Sequence, residues 1–141
     1  KESNGNWAER GRGIRTGHPD GIISNISAGG HICPFDRWKE QLSISQQEYL
    51  EMQINDILAN IPLCLEKSFL PLFELGIDIG VAKNGSIWIL DINSKPGRKV
   101  ILETNRAVKD ELYEAPILYG RTLTSSETFE RKRYDAKTLS Y

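Results

Sequence analysis

"ELGIDIGVAKNGSIWILDINSKPGR", residues Glu74 to Arg98, decides the fold. Two runs rich in Leu, Ile, Val and Trp flank Asn84-Gly85. Asn-Gly between such runs is the strongest short-range signal for a β-hairpin, because both residues tolerate positive φ. A two-residue loop sets Lys83 opposite Ser86. Val81 then faces Trp88, Ile79 faces Leu90 and Ile77 faces Ile92, a set that shares one side and reads as a core layer. On the other side Gly80 faces Ile89, Asp78 faces Asp91 and Gly76 faces Asn93.

Directly opposed residues have Cβ atoms about 4.5–5.5 Å apart. Two carboxylates at that separation repel unless something neutralises them: a shared proton, a nearby Lys or Arg, or a bound cation. Carboxylate and amide oxygens are hard ligands suited to Mg²⁺. The glycines leave room for a ligand on that side, or else mark bends. The alternative is the plain solvated face of an antiparallel sheet. A three-residue loop with a bulge would shift this register.

Upstream of the hairpin the period changes to that of a helix over 45–68. Ser45 and Glu48 have the spacing of a capping box, and Leu50, Ile54, Ile57, Leu58 and Ile61 fall on one helical face. Pro62 lacks a donor and predicts a kink, beyond which Leu63, Leu65 and Phe69 extend the apolar surface. The helix and the hairpin each need the other's apolar face, so the fold expected is α+β, a mostly antiparallel sheet with packed helices. Ile14 onward reads as a short strand and a turn, followed by a strand over Ile22–Ile26 and a Gly-Gly loop.

With 141 residues, 39% hydrophobic and 26% charged, the chain has the composition of one globular domain. Its net charge of −1 argues against nucleic acid or an anionic membrane as partner, and no apolar run approaches the roughly 20 residues of a membrane span. Cys33 and Cys64 lack zinc-site spacing and read as buried free thiols suited to a reducing cytoplasm. His18 and His31 read as structural. Arg10, Arg12 and Arg15 form either a phosphate patch or a solvated charge cluster. Lys95 and Arg98, around Pro96-Gly97, are either turn residues or cations facing an anionic ligand. The first residue is Lys rather than Met, which suggests a fragment.

The acidic residue on one strand, then Asp91-Ile92-Asn93 running into Ser94-Lys95-Pro96-Gly97, resembles the metal-binding end of the ATP-grasp fold. Ser24-Asn25-Ile26-Ser27-Ala28-Gly29-Gly30 resembles the S-N-x-x-x-G-G segment of several ATP-grasp enzymes. Taken with "FELGIDIG" and "NSKPGR", these motifs are most similar to the YheC/YheD-type family of endospore coat-associated proteins. The resemblance covers residues 7 to 120.

What the resemblance implies is specific. The fold would be the C-terminal subdomain of an ATP-grasp protein over 1–121, with 122–141 a poorly ordered polar tail. Asp78, Asp91 and Asn93 would hold Mg²⁺ (or Mn²⁺) against the β- and γ-phosphates of ATP. Ser24 and Asn25 would lie near the nucleotide, Arg15 would contact phosphate, and Lys95 to Arg98 would line the acceptor side. The reaction would be ligation through an acyl phosphate. Its acceptor would be an anionic small molecule or peptide, and an amine or thiol the nucleophile. Most ATP-grasp proteins carry Glu where this chain has Asp91, which puts a second metal in question. The upstream half, with its phosphate-binding lysines and adenine pocket, is absent and would be the chain's partner; by itself the chain would be inactive. The competing reading is a coat-associated structural or interaction protein that keeps the fold without the catalysis.

Overall fold

The hairpin closes with one residue more in its loop than expected. In the computed structural model, which describes residues 1–16, 31–82 and 84–125, β3 (Gly76–Val81) pairs antiparallel with β4 (Ile87–Asn93). Along the chain run β1 (Gly13–Thr16), β2 (His31–Pro34), α1 (Phe35–Lys39), α2 (Ile44–Glu66), β3, β4, α3 (Lys99–Thr104) and α4 (Lys109–Ser125). The Ala82 N–H donates to the Ser86 carbonyl, and the Gly85 N–H returns to the Ala82 carbonyl, both at 2.9 Å. Three residues thus separate the paired ends, and Gly85 takes the left-handed conformation at φ +84°. The Asn84 side-chain oxygen accepts from the Ser86 N–H at 3.1 Å and from the Ser86 hydroxyl at 2.8 Å, which fixes the turn.

The longer loop moves the register near the turn to Val81↔Ile87, Gly80↔Trp88 and Ile79↔Ile89. Continued without interruption, that register would set Asp78 against Leu90. A bulge between Asp78 and Ile79 absorbs Leu90 instead, and Asp78↔Asp91, Ile77↔Ile92 and Gly76↔Asn93 follow as expected. The expected register therefore holds at the acidic end and fails at the turn end. A one-residue slip exchanges the two faces of a strand. Trp88 and Leu90, expected in the core layer, are accordingly 64% and 69% exposed, while Ile87 joins Ile79 against the core. Leu90 leans over Gly80, where an added Cβ would lie 3.2 Å from its Cδ1.

Helix α2 supplies the other wall. Its cap is Ser43 rather than Ser45: the Ser43 hydroxyl accepts from the Gln46 N–H, and the Gln46 side chain accepts from the Ser43 N–H at 3.0 Å. Leu50, Ile54 and Phe35 are buried, and Ile14, Trp38, Leu42, Leu58, Ile79 and Ile87 pack against them. The helix thus lies on the apolar face of the hairpin, as expected. It runs on through Pro62, but Leu63 and Phe69 are exposed and do not extend the core. Cys64 is also exposed, which corrects the expectation of two buried thiols; Cys33 is half-buried in β2, and both are free.

Of the remaining elements, the sequence pattern predicts only β1. β1 and β2 form a second antiparallel pair, with Thr16 opposite His31, and α1 follows β2 directly and delivers Phe35 to the core. α3 rests on β1 at Gly13, where a Cβ would stand 2.5 Å from Val100 Cγ1. Among the described residues the sheet is two small antiparallel ladders in a mixed α+β arrangement. The expected strand Ile22–Ile26, His18, Ser24 and Asn25 lie outside the described residues.

An ionic network ties the N-terminal segment to α2. Arg12 donates to Glu9 at 2.9 Å, to Asn55 at 3.0 Å and to Glu51, and Lys39 donates to Glu51 at 2.6 Å. Arg10 is paired with Glu2 and, at 3.0 Å, with Glu111. The hydrogen bond from Lys39, reinforced by Arg12, holds the Glu51 carboxyl below its ordinary range; the bond to Glu9 in turn raises Arg12.

Two outcomes follow for stability. Leu50 is only 3% exposed, so Leu50→Ala is expected to lose about 2–5 kcal/mol in urea unfolding, while Leu63→Ala stays within about 0.5 kcal/mol. Because the folded-state pKa of Glu51 is depressed, its contribution is complete above its unfolded value near 4.5 and is lost as pH falls through the folded one. Thermal midpoints measured across that range should fall less steeply in Glu51→Gln than in the parent.

Candidate functional site

The bulge in β4 leaves Asp78 directly opposite Asp91 on the exposed side of the hairpin, with Asn93 opposite Gly76 one pair further along that side. Of the three ways to neutralise this opposition, the structure uses a cation from the protein. Arg15, in the middle of β1, donates from Nη2 to Asp78 Oδ2 at 2.6 Å. On the neighbouring strand Asn93 Nδ2 donates to Asp91 Oδ2, also at 2.6 Å. One oxygen of each carboxylate and the Asn93 amide oxygen carry no hydrogen bond among the described residues.

This donor set fits a hard divalent cation, and the Arg15 guanidinium already occupies a cation's position beside Asp78. Among the described residues no further Asp, Glu, His or Cys joins to complete a metal cage. Mg²⁺ usually takes one or two carboxylates and completes its shell with water and phosphate oxygens. The acidic face is open. A pocket lined by Glu9, Arg12, Phe35, Glu51 and Asn105 belongs to the Arg12 network and includes none of the three residues.

The segment after β4 folds back on the start of β3. A Cβ on Gly76 would stand 2.5 Å from Pro96 Cβ, so the glycine lets Pro96 press onto the strand. Lys95 beside it is exposed and has no ion pair among the described residues. Arg98 is more committed than its expected acceptor-side role suggests. It donates to Glu74 Oε2 at 2.6 Å and lies 4.6 Å from the centre of the Tyr113 ring, with its Nε buried and unpartnered. Glu74 and Arg98 thus clasp the two ends of the hairpin stretch. Gly76 is expected to leave room for a ligand or to mark a bend; the room it leaves is taken by Pro96, in the Asn93-Ser94-Lys95-Pro96-Gly97 run that begins at its partner. Nothing in the sequence pointed to Glu74 or Tyr113.

The family described as YheC/D like ATP-grasp matches residues 1–123. The chain belongs to this family. It is similar to the endospore coat-associated protein YheC of Bacillus subtilis (strain 168), with 41% identity over 128 residues, 91% of this chain. This YheC/D-like chain spans 35% of the length of that curated relative. No solved structure matches it. ATP-grasp proteins generally use ATP and a divalent metal ion. No helix among the described residues is long and apolar enough to cross a membrane.

The wedge at Gly76 is directly testable. Gly76→Ala is expected to destabilise by roughly 1–3 kcal/mol through overpacking against Pro96. Pro96→Gly removes the opposing Cβ, so the double variant should be more stable than the sum of the single effects predicts. Additive costs in urea titrations would show that the two residues do not meet.

Proposed function

We propose that this chain is the metal-binding C-terminal part of an ATP-dependent carboxylate–amine (or carboxylate–thiol) ligase. In that reaction ATP activates a carboxylate as an acyl phosphate, and the nucleophile displaces phosphate. The observation that supports it most is the opposition of Asp78 and Asp91, kept by a bulge when the loop alone would have broken it. Asp78, Asp91 and the Asn93 amide oxygen hold Mg²⁺ or Mn²⁺, which supplies charge neutralisation at the phosphates. Arg15 stands beside them as the phosphate-contacting cation. Ser24 and Asn25 belong to the nucleotide side. Lys95, which has no ion pair among the described residues, faces the acceptor and favours an anionic small molecule or peptide, while Arg98, held by Glu74, fixes the chain beside it. Nucleic acid and membrane are not among the partners.

The subdomain extends past the expected boundary at 121 to the end of α4 at Ser125, and works in the cytoplasm joined to an N-terminal half that supplies the adenine pocket and further phosphate-binding cations. Exposed Trp88 and Leu90 on the acidic face support that pairing, since large apolar groups there await a cover. A second reading has one observation in its favour: the relative's printed name is endospore coat-associated protein. In that case the fold serves assembly in the coat without turnover.

Full-length protein with Mn²⁺ and a non-hydrolysable ATP analogue separates the two. The ligase reading expects anomalous density for Mn²⁺ between Asp78, Asp91 and Asn93. It also expects Asp91→Asn to weaken Mn²⁺–nucleotide binding by at least about 10–100-fold, and ATP consumption that depends on an added acceptor. The 141-residue chain by itself should unfold cooperatively and show no ATP turnover, because catalysis needs cationic groups on both sides of the phosphates and a site closed to water. Metal density elsewhere, or turnover by the chain alone that Asp91→Asn abolishes, would overturn this arrangement.

A further inference from the structure

We propose that Arg15 is a built-in counter-ion that occupies Asp78 until metal and nucleotide arrive together, and so couples the binding of one to the other. The inference rests on reading Asp78, Asp91 and Asn93 as the metal face. Arg15 reaches Asp78 from a different ladder: its backbone is fixed by pairing with Ile32 in β2, so only its side chain is free to leave. The contact is a single bond from Nη2, a third of the Arg15 side chain and half of that of Asp78 are exposed, and Nε and Nη1 carry no bond among the described residues. A guanidinium held this lightly differs from that of Arg12, which has three partners.

Two effects of opposite sign follow. A divalent ion arriving by itself must expel Arg15 from Asp78 and bind beside the displaced positive charge, so Arg15 depresses the affinity for bare metal. When phosphate arrives with the metal, the released guanidinium finds an anion for which its planar fork is suited. Arg15 then favours the joint complex. By linkage, metal raises nucleotide affinity by the same factor as nucleotide raises metal affinity, and Arg15 enlarges that factor.

The test uses full-length protein and Mn²⁺, with free ion followed by electron paramagnetic resonance. Arg15→Gln is expected to bind Mn²⁺ alone roughly two- to fivefold tighter than the parent, the range an exposed ion pair contributes. With a non-hydrolysable ATP analogue present, the same variant should bind Mn²⁺ about tenfold more weakly than the parent. This reversal of sign is what a merely structural arginine would not give. Arg15→Gln binding bare Mn²⁺ no tighter than the parent overturns the proposal. If that variant does not fold, the Arg15 Nε–H resonance of the parent decides. It is expected to shift when Mg²⁺ and analogue are added together, and no shift overturns the proposal. Asp91→Asn separates the two levels of inference. If it removes Mn²⁺ binding while Arg15→Gln fails to tighten it, the role of Arg15 falls and the metal face stands. If it leaves Mn²⁺ binding intact, both fall.

Discussion

Two carboxylates set face to face across an antiparallel pair repel, and the hairpin keeps them so. Asp78 and Asp91 could have been parted at no cost in chain length, because the three-residue loop on its own would have set Leu90 opposite Asp78. The bulge cancels that shift within a few residues of the turn. The charge must then be met from outside the hairpin, and Arg15 of β1 meets it. One electrostatic demand thereby links the two ladders across the molecule. The demand is local, but its answer is tertiary.

The molecule carries two kinds of arginine contact. Around α2, Arg12 is shared among Glu9, Glu51 and Asn55, and its guanidinium lies 5.3 Å from the centre of the buried Phe35 ring. Several bonds to one planar group fix it, and the segment before β1 is fixed with it. Arg98 is similarly engaged by Glu74 and Tyr113, which holds the chain leaving the hairpin near its start. Among the described residues Arg15 alone of the three meets a single acceptor, on an exposed face. The number of partners separates the arginines that hold the scaffold from the one held by a single bond.

Much of this was legible in the sequence and some was not, for physical reasons that differ by element. Asn84-Gly85 announced the hairpin, but the pair suits loops of two or three residues equally, since Gly85 takes positive φ in both. The resulting slip misplaced Trp88 and Leu90 while leaving the acidic end correct. The 3.6-residue period of Leu50 and Ile54 gave the helix. Its start was ambiguous because both Ser43 and Ser45 have a Gln or Glu three residues on, and only packing chooses between them. α4 carries no clear helical signal in the sequence because Pro116 and Gly120 sit inside it as apparent breakers. Gly120 is there for a tertiary reason, with the Phe73 ring 3.3 Å from where a Cβ would be. The acidic triplet was found by register, and the family match agrees with the resemblance its motifs suggested. The Arg98–Glu74 contact, 24 residues apart, could be found only in three dimensions.

A regular strand alternates its side chains strictly, so neighbours in sequence never share a side. The bulge suspends that alternation for one step. Leu90, leaning over Gly80, and Asp91, opposite Asp78, stand on the same side of the hairpin. An oily group and an ionic one thus become immediate neighbours on a surface that ordinary pleating would have given to one of them. The ladder itself has no need of Leu90: excising that residue would leave a regular strand with the two carboxylates still opposed. What the deletion would erase is the direct adjacency of an apolar and an ionic group along one strand, a property that depends on an additional residue rather than on a substituted one; Trp88, opposite Gly80 on the same side, would remain.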